Sequence, residues 1–269
     1  MSSHHERNGP RKGSRKAPAK PSFARPQAKR DNVSDDWLWG WHAVEAALSN
    51  PKRQPPMRLL ATPDRAQEIE QRFGRPKALE VVEGARIGQS LPPGAVHQGV
   101  AMRIPPLEDW GLEDFQPGPG AVLLMLDQVT DPQNVGAILR SAAAFGAQGV
   151  ILQDRHAPKL TGALAKAAVG AVDRIPTARV TNLSRAIETL TERGWRAVGL
   201  AGSGQRTLDQ VMDGSPVLLI MGSEGEGLRR LVAEHCDELA RIAMPGGFES
   251  LNVSAAAAVA LYEATRVRL

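Results

Sequence analysis

The sequence has a single cysteine, few aromatic residues and no long apolar run. Because Cys236 is the only cysteine among 269 residues, no disulfide can form within the chain, and this favours a reducing compartment. No apolar run approaches the ~20 residues that a membrane-spanning helix needs, and the N-terminus lacks the apolar stretch of a signal peptide. These deficits argue against a secreted disulfide-rich protein and against an integral membrane protein. We therefore expect a cytoplasmic protein with no membrane partner.

Acidic residues are scarce at the N-terminus. Residues 1–30 contain nine Lys or Arg against one acid, Glu6, so this segment carries +8 in a chain whose net charge is +4, and the remainder carries −4. The segment also holds four prolines and almost no large apolar side chain, so burial cannot offset the entropy of ordering it. We predict that residues 1–35 are a disordered basic tail. Such a tail is an arm that contacts phosphates or a solubilising extension, and a mitochondrial transit peptide is a third, less favoured alternative, because the segment shows no amphipathic helical stripe.

Two regions of alternating strand and helix patterns follow the tail. Residues 36–105 read as a small α/β domain, and the prolines and glycines between residues 106 and 120 predict a linker. From residue 121 to residue 269, nearly continuous apolar strands alternate with helices. This pattern is typical of an α/β domain with a mostly parallel sheet and helices on both faces.

Individual elements of the larger region follow from periodicity and capping residues. The apolar run at 121–129 predicts a buried strand, and Asp131 followed by proline is a start signal for a helix over residues 133–145. The alanine-rich stretch 160–172 predicts one continuous helix.

Three short polar segments each follow a predicted buried strand: DPQNVGAILR (residues 131–140), GSEGEG (222–227) and ESLNVS (249–254). Open α/β proteins place their ligand sites at such strand ends. In the first segment, Asn134 is expected at the edge of the sheet, with Arg140 nearly two turns further along the helix. An arginine beside such a cleft suits a phosphate group. The alternative is that Asn134 only caps the helix and Arg140 is a solvated charge.

The second and third segments also permit two interpretations. The glycines of 222–227 let the backbone approach a ligand, but their G-x-x-G-x-G order differs from the dinucleotide-binding pattern, and two acids would repel a pyrophosphate. Glu224 is either a functional acid or an acid in the first turn of a helix. Ser250 and Asn252 are either helix caps or hydrogen-bonding groups of a site. The alanines at 255–258 allow close packing against a partner helix or within the chain.

Taken together and in this order, the three segments resemble the signature motifs of the SpoU/TrmH family of RNA ribose 2′-O-methyltransferases. The resemblance implies a fold with a C-terminal trefoil knot, a homodimer, and S-adenosyl-L-methionine as methyl donor without a metal. It implies that the main chain of Gly222, Ile242 and Leu251 contacts the cofactor. It further implies a polar catalytic group made of Asn134, Arg140, Glu224, Ser250 and Asn252.

The N-terminal region resembles the L30e-like RNA-binding domain of a subset of these enzymes, through GWHAV (residues 40–44) and HQGV (residues 97–100). This resemblance implies that residues 36–105 bind the RNA substrate, and that residues 121–269 form the methyltransferase domain. It favours a guanosine ribose in 23S rRNA as the target. The alternatives are a tRNA ribose 2′-O-methyltransferase and an rRNA-binding protein without catalytic activity.

Overall fold

The structure is a computed structural model that describes residues 36–248 and 250–266. The predicted disordered tail, residues 1–35, lies outside the described residues, as does Glu249 of the third segment. Among the helices that the structure describes, none is both long and apolar enough to cross a membrane.

The N-terminal region forms a mixed sheet of four strands with helices around it. The strands stand in the order β1-β4-β2-β3, where β2 pairs in parallel with β3 and the other pairs are antiparallel. A proline at the first helical position and Gly74 after the last residue delimit the longest helix here, α2. The elements are β1 (Trp37–Trp39), α1 (Trp41–Ser49), β2 (Arg58–Ala61), α2 (Pro63–Phe73), β3 (Leu79–Val81), α3 (Gly84–Gly88) and β4 (Val100–Arg103).

The larger region forms a sheet of seven strands whose described pairings are all parallel, so the predicted mostly parallel sheet is confirmed. Its order is β7-β6-β5-β10-β8-β11-β9. Its strands are β5 (Val122–Leu126), β6 (Gly149–Gln153), β7 (Thr177–Val180), β8 (Arg196–Leu200), β9 (Arg206–Thr207), β10 (Val217–Met221) and β11 (Glu238–Arg241). Its helices are α4 (Pro132–Ala144), α5 (Gly162–Ala168), α6 (Leu183–Thr191), α7 (Leu208–Val211), α8 (Arg230–Glu234) and α9 (Val253–Arg266).

Successive residues of the central strands enter two different cores, one on each face of the sheet. In β5, Val122 and Leu124 join the core that contains α4, α5 and α9, whereas Leu123 and Met125 join the core that contains α6 and α8. Every residue of β5 and β10 is buried, which explains their unbroken apolar sequence. The predicted helices on both faces are thereby confirmed.

The prediction of one helix over residues 160–172 is wrong. Helix α5 ends at Ala168, because Val169 and Gly170 both take left-handed backbone conformations with φ of 51° and 83°. A short 3-10 helix, Ala171–Asp173, follows. The segment predicted as a linker, 106–120, contains another 3-10 helix, Leu112–Asp114, which buries Leu112 in the α6 core.

Candidate active site

The three polar segments meet at the carboxyl edge of the seven-stranded sheet. Strands β5 and β10 are parallel neighbours with Leu126 opposite Met221, so the loops that follow them lie side by side. A pocket of about 400 Å³ opens at this edge. The pocket is lined by the residues that follow β8, β10 and β11 and by the start of α9: Leu200, Ala201, Gly202, Met221, Gly222, Ser223, Glu224, Gly225, Gly227, Ile242, Met244, Ser250, Leu251, Val253 and Ala256.

The start of α4 places Asn134 at this edge. The carboxylate of Asp131 accepts hydrogen bonds from the backbone N–H of Gln133 (3.3 Å) and of Asn134 (3.1 Å), and Pro132 occupies the first helical position. The predicted helix start is therefore confirmed. Because Asp131 fixes the first turn, the Asn134 side chain is held beside the loop that follows β10.

Asn134, Glu224 and Asn252 form one hydrogen-bonded cluster, although they lie far apart in the sequence. The Nδ2 of Asn252 donates to Glu224 Oε1 at 2.5 Å and to Asn134 Oδ1 at 3.1 Å. The Nδ2 of Asn134 donates to the same Oε1 at 3.4 Å, and so does the backbone N–H of Val253 at 3.1 Å. Glu224 forms no ion pair with any residue in 36–248 or 250–266. The cluster therefore holds one negative charge with neutral donors only.

These contacts describe the surroundings of Glu224 and Asn252, for which the sequence left two interpretations open. Glu224 is not an acid in the first turn of the helix that follows it, since α8 begins only at Arg230. It accepts instead from the first N–H of α9, where the helix dipole favours a carboxylate. Asn252 is both a cap and a cluster member, because its Oδ1 accepts from the backbone N–H and the hydroxyl of Ser254 at 2.9 and 2.6 Å.

The structure does not bring Arg140 and Ser250 into this cluster. Arg140 lies exposed near the far end of α4, six residues after Asn134, and makes no hydrogen bond or ion pair with another described residue. Ser250 is exposed and lines the pocket. Ser250 can therefore contact a ligand of the pocket, whereas Arg140 is exposed on α4 and is not among the lining residues.

The three residues predicted to contact a cofactor, Gly222, Ile242 and Leu251, all line the pocket. At Gly222 any side chain would collide with the backbone of Gly227, because the loop folds back on itself there. Gly227 takes a φ of 69°, a conformation that favours glycine. The loop is therefore a tight backbone cradle whose shape depends on its glycines.

The sequence alone did not point to Asp127 and Arg229. Their contact holds the residues just after the 222–227 loop against the end of β5. Asp127 follows β5 and is 0% exposed, and its carboxylate accepts from the backbone N–H of Arg229 at 3.0 Å and from its Nε at 2.7 Å. Arg229 also donates to Gln153 Oε1 at 3.2 Å. The pair ties the end of the cradle to β5. The available signal was a carboxylate ending an otherwise apolar strand.

No group of three or more His, Cys, Asp or Glu within the described ranges is arranged to hold a metal ion. The polar groups of the cluster are one carboxylate, two amides and a backbone N–H, and the hydroxyls of Ser223 and Ser250 line the pocket beside it. Such a set can hold a polar ligand in a fixed orientation next to an apolar pocket.

Comparison with known proteins gives consistent matches. Residues 121–262 match the SpoU rRNA Methylase family. A protein of Pseudomonas aeruginosa named 23S rRNA (guanosine-2′-O-)-methyltransferase RlmB is 40% identical over 86% of this chain and 96% of its own length. A protein of Synechocystis named as an uncharacterized tRNA/rRNA methyltransferase is 40% identical over 87% of this chain, but the chain spans only 63% of that relative. The crystal structure of an AdoMet-bound rRNA methyltransferase from Sinorhizobium meliloti superposes with a TM-score of 0.74, covering 88% of this chain and 89% of that one at 27% identity.

Proposed function

The chain belongs to the SpoU rRNA methylase family, and on this premise we propose that it transfers a methyl group from S-adenosylmethionine to a ribose 2′-hydroxyl in RNA. The observation that carries the proposal is the Asn134–Glu224–Asn252 cluster beside the pocket of about 400 Å³. Three segments that are remote in sequence converge there on one carboxylate. A ribose 2′-hydroxyl is also the group by which a protein distinguishes RNA from DNA.

The proposed substrate is a guanosine ribose in 23S rRNA. Support comes from the Pseudomonas aeruginosa relative, which carries that activity in its name and aligns along 96% of its length. The Synechocystis relative is named for tRNA or rRNA, so a tRNA ribose remains the rival outcome of the test. The single cysteine suggests a cytoplasmic location, and this location fits an enzyme that methylates rRNA.

The pocket fits S-adenosylmethionine in size and chemistry. Its volume falls within the ~300–1,000 Å³ that is typical of sites for small ligands, and its lining combines a glycine-rich main chain with apolar side chains. Gly222, Ile242 and Leu251 would contact the cofactor through their main chains. When bound, the cofactor supplies a methyl group on a positively charged sulfur, which a hydroxyl oxygen can attack directly.

Arg140 is proposed to anchor the phosphate next to the target ribose and to stabilise the negative charge that develops on the attacking oxygen. Its planar guanidinium forms paired hydrogen bonds with phosphate and keeps its proton, which makes it a poor general base. Since Arg140 has no partner among the described residues, binding RNA breaks no existing contact there.

Glu224, Asn134, Asn252 and Ser250 are proposed to orient the hydroxyl. Three N–H donors saturate Glu224 Oε1, and the second carboxylate oxygen has no hydrogen bond with another described residue. That second oxygen is therefore available to accept from the hydroxyl, directly or through a water. Ser250, exposed at the pocket, supplies a further hydroxyl.

The larger architecture is part of the same proposal. A trefoil knot is supported by the path after β10, which passes to β11 two strands away and then returns through α9 to pack against α4. A homodimer is supported by the exposed apolar Val259 and Tyr262 on α9.

We propose that residues 36–105 are an L30e-like RNA-binding domain, that 106–120 link it to the methyltransferase domain 121–269, and that residues 1–35 are a basic tail.

The test is to incubate the protein with methyl-labelled S-adenosylmethionine and either unmodified 23S rRNA or total tRNA, then digest the RNA and identify the labelled nucleoside. The proposal predicts label in 2′-O-methylguanosine from 23S rRNA. Label in tRNA alone would keep the reaction and overturn the substrate. Absence of cofactor binding would refute the methyltransferase function itself.

A further inference from the structure

The N-terminal unit contacts both ends of α5, through β1 at the start of the helix and through α1 past its end. At the start of α5, the Trp39 ring lies against Gly162, where an added Cβ would come within 3.1 Å of it. Past the end of α5, Gly170 lies against α1, where an added Cβ would come within 2.8 Å of Ala46 and 3.0 Å of the His42 carbonyl oxygen. One apolar core continues from the N-terminal sheet into the α4 side of the larger sheet.

The contact surface between the N-terminal unit and the larger region is called the junction below. A buried ion pair crosses it at the amino edge of the large sheet. Arg53 donates from Nε and from one terminal nitrogen to the two oxygens of Asp173 at 2.7 and 3.1 Å, and both side chains are 3% exposed. Asn50 donates to the same carboxylate at 3.0 Å, and Arg53 also donates to the carbonyl of Pro105 at 3.0 Å. The charge is thus fully compensated, and the contact joins chain segments 120 residues apart.

A second contact fastens the other half of the junction. The Nζ of Lys166 on α5 donates to Gln98 Oε1 at 2.6 Å, and the same oxygen accepts from the backbone N–H of Trp41 at 3.2 Å. Gln98 takes a φ of 54°, which costs energy for a residue with a side chain and points its amide at this contact. Burial lowers the pKa of the Lys166 ammonium.

The junction connects mechanically to the candidate active site. Helix α4, which carries both Asn134 and Arg140, packs on α5 at Gly136 so closely that an added Cβ would come within 2.6 Å of Ala167 and 2.7 Å of the Leu164 carbonyl oxygen. The N-terminal unit, α5 and α4 are thus packed as one block, so the docking of the N-terminal unit on α5 sets its position relative to the cluster.

We propose that the Arg53–Asp173 pair and the Lys166–Gln98 contact hold the N-terminal unit at a fixed position, so that an RNA segment bound there presents one particular ribose to the Asn134–Glu224–Asn252 cluster. Arg53, Asp173, Lys166 and Gln98 are then positioning residues that set substrate register and act through the docked unit. This inference rests on the proposed function, since it assumes that the N-terminal unit binds the RNA that is methylated.

The test uses the full chain with two independent variants. Asp173→Asn removes the partner charge of Arg53, and Lys166→Met removes the second contact without leaving a buried charge. The matched control is Glu80→Gln, which breaks a similar bidentate pair with Arg58 inside the N-terminal sheet, at an exposed position. The double variant Arg53→Met/Asp173→Leu replaces the pair by apolar groups of similar size, an exchange that buried ion pairs often tolerate.

The expected result is a rise of about tenfold to a hundredfold in KM for RNA in Asp173→Asn and Lys166→Met, with methyl groups at additional riboses, because apparent affinity falls with the fraction of protein whose N-terminal unit is correctly placed. Turnover at saturating RNA and the Kd for S-adenosylmethionine should stay within about twofold, because the cofactor pocket lies at the other edge of the sheet. The apolar double variant should restore KM and register, which a direct Arg53–RNA contact would not permit. Glu80→Gln should leave hydrogen exchange at α1 and α5 at the wild-type rate, because this pair does not touch the larger region.

The rate of backbone hydrogen exchange at α1 and α5 reports whether the N-terminal unit stays packed on α5, and this measurement does not depend on enzyme activity. Faster exchange in the two variants with unchanged KM and unchanged methylation sites would overturn the inference, and so would unchanged exchange. If Asp173→Asn does not fold, the same comparison of KM, methylation sites and exchange rates is made between Lys166→Met and the wild type. A wild type that methylates no RNA would instead contradict the proposed function, while the exchange data would still show whether the contacts hold the two units together.

Discussion

Two polar clusters of this chain use similar side chains in opposite environments. At the carboxyl edge, Asn134 and Asn252 surround the carboxylate of Glu224, which faces solvent and has no cation among the described residues. At the amino edge, Asn50 and Arg53 surround the carboxylate of Asp173, with the ion pair 3% exposed on both sides. Each cluster joins segments separated by more than 80 residues.

The difference between the clusters lies in charge balance. A buried carboxylate without a cation would be very unfavourable, so Asp173 is matched in full by Arg53 and serves the fold. The carboxylate of Glu224 is held in place by neutral donors at the mouth of a pocket, which leaves one charge and one oxygen available for a ligand. Charge balance, and not the hydrogen-bonding residues alone, therefore distinguishes the Glu224 cluster from the Asp173 cluster.

The largest expected effect concerns stability at the balanced cluster. Asp173→Asn should lower the free energy of unfolding by about 3–5 kcal/mol, because it leaves the Arg53 guanidinium buried without its partner. Glu80→Gln breaks a pair whose side chains are 36% and 45% exposed, and should cost about 0–1 kcal/mol. Thermal and urea unfolding of both variants would measure this. Equal losses would mean that burial does not distinguish the two pairs.

The next effect concerns turnover at the unbalanced cluster. Arg140→Ala should lower kcat by about 10²–10³-fold without destabilising the fold, since a group that stabilises developing charge typically contributes that much. Arg140→Lys should recover only part of the loss, because an ammonium cannot form the paired contact with phosphate. Arg174→Ala, at an exposed arginine near the other edge, should leave kcat unchanged. Near-normal turnover in Arg140→Lys would refute the bidentate role.

A smaller effect is expected for cofactor affinity. Gly222→Ala should weaken S-adenosylmethionine binding by about tenfold or more, since a methyl group there forces the cradle away from Gly227. Gly246→Ala is the control, because a Cβ at Gly246 meets no atom within 4 Å. Calorimetric titration of both variants would measure the two dissociation constants. Undiminished affinity in Gly222→Ala would show that the cradle does not hold the cofactor.

The smallest effect is a pH dependence that belongs to neither cluster. Burial, followed by the charges of Asp237 and Asp127, raises the pKa of the Cys236 thiol from 9.0 to about 12. The unfolded thiol ionises near pH 9 while the folded one keeps its proton, so stability is unaffected below pH 9 and declines between pH 9 and 12. At pH 10 the decline is about 1 kcal/mol. Unfolding of the wild type and of Cys236→Ala from pH 8 to 10 should show this slope only in the wild type.

The elements that were predicted correctly are those whose form depends on residues close together in the sequence. The cap at Asp131, the start of α4 and the strands of the large sheet follow from residues within a few positions of each other. The expectation that Arg140 lies further along the helix than Asn134 also holds. The predicted helix over 160–172 failed because a valine took a left-handed conformation, which its own side chain disfavours and only the tertiary contacts impose.

Long-range pairs carried little local signal. The contacts between Asp127 and Arg229 and between Arg53 and Asp173 join residues more than 100 positions apart. Only Asp127 stands out in the sequence, as a carboxylate directly after an apolar strand, and the other three residues read as ordinary surface charges. That Asn134, Glu224 and Asn252 form one group was implied by the resemblance of the three segments to the family motifs, and the polar segments after buried strands indicated only a site at that edge of the sheet. Their order around Glu224 Oε1 came from the structure.

One side-by-side measurement tests the contrast between the two clusters most directly: single-turnover methylation of one RNA, with its binding affinity, for the wild type, Arg140→Ala and Asp173→Asn. We expect Arg140→Ala to bind the cofactor but to transfer methyl groups at least about a hundredfold more slowly at saturating RNA. We expect Asp173→Asn to transfer them at nearly the wild-type rate once saturated, but to need far more RNA to do so. If both variants instead lose the same step, the two clusters do not have separate roles.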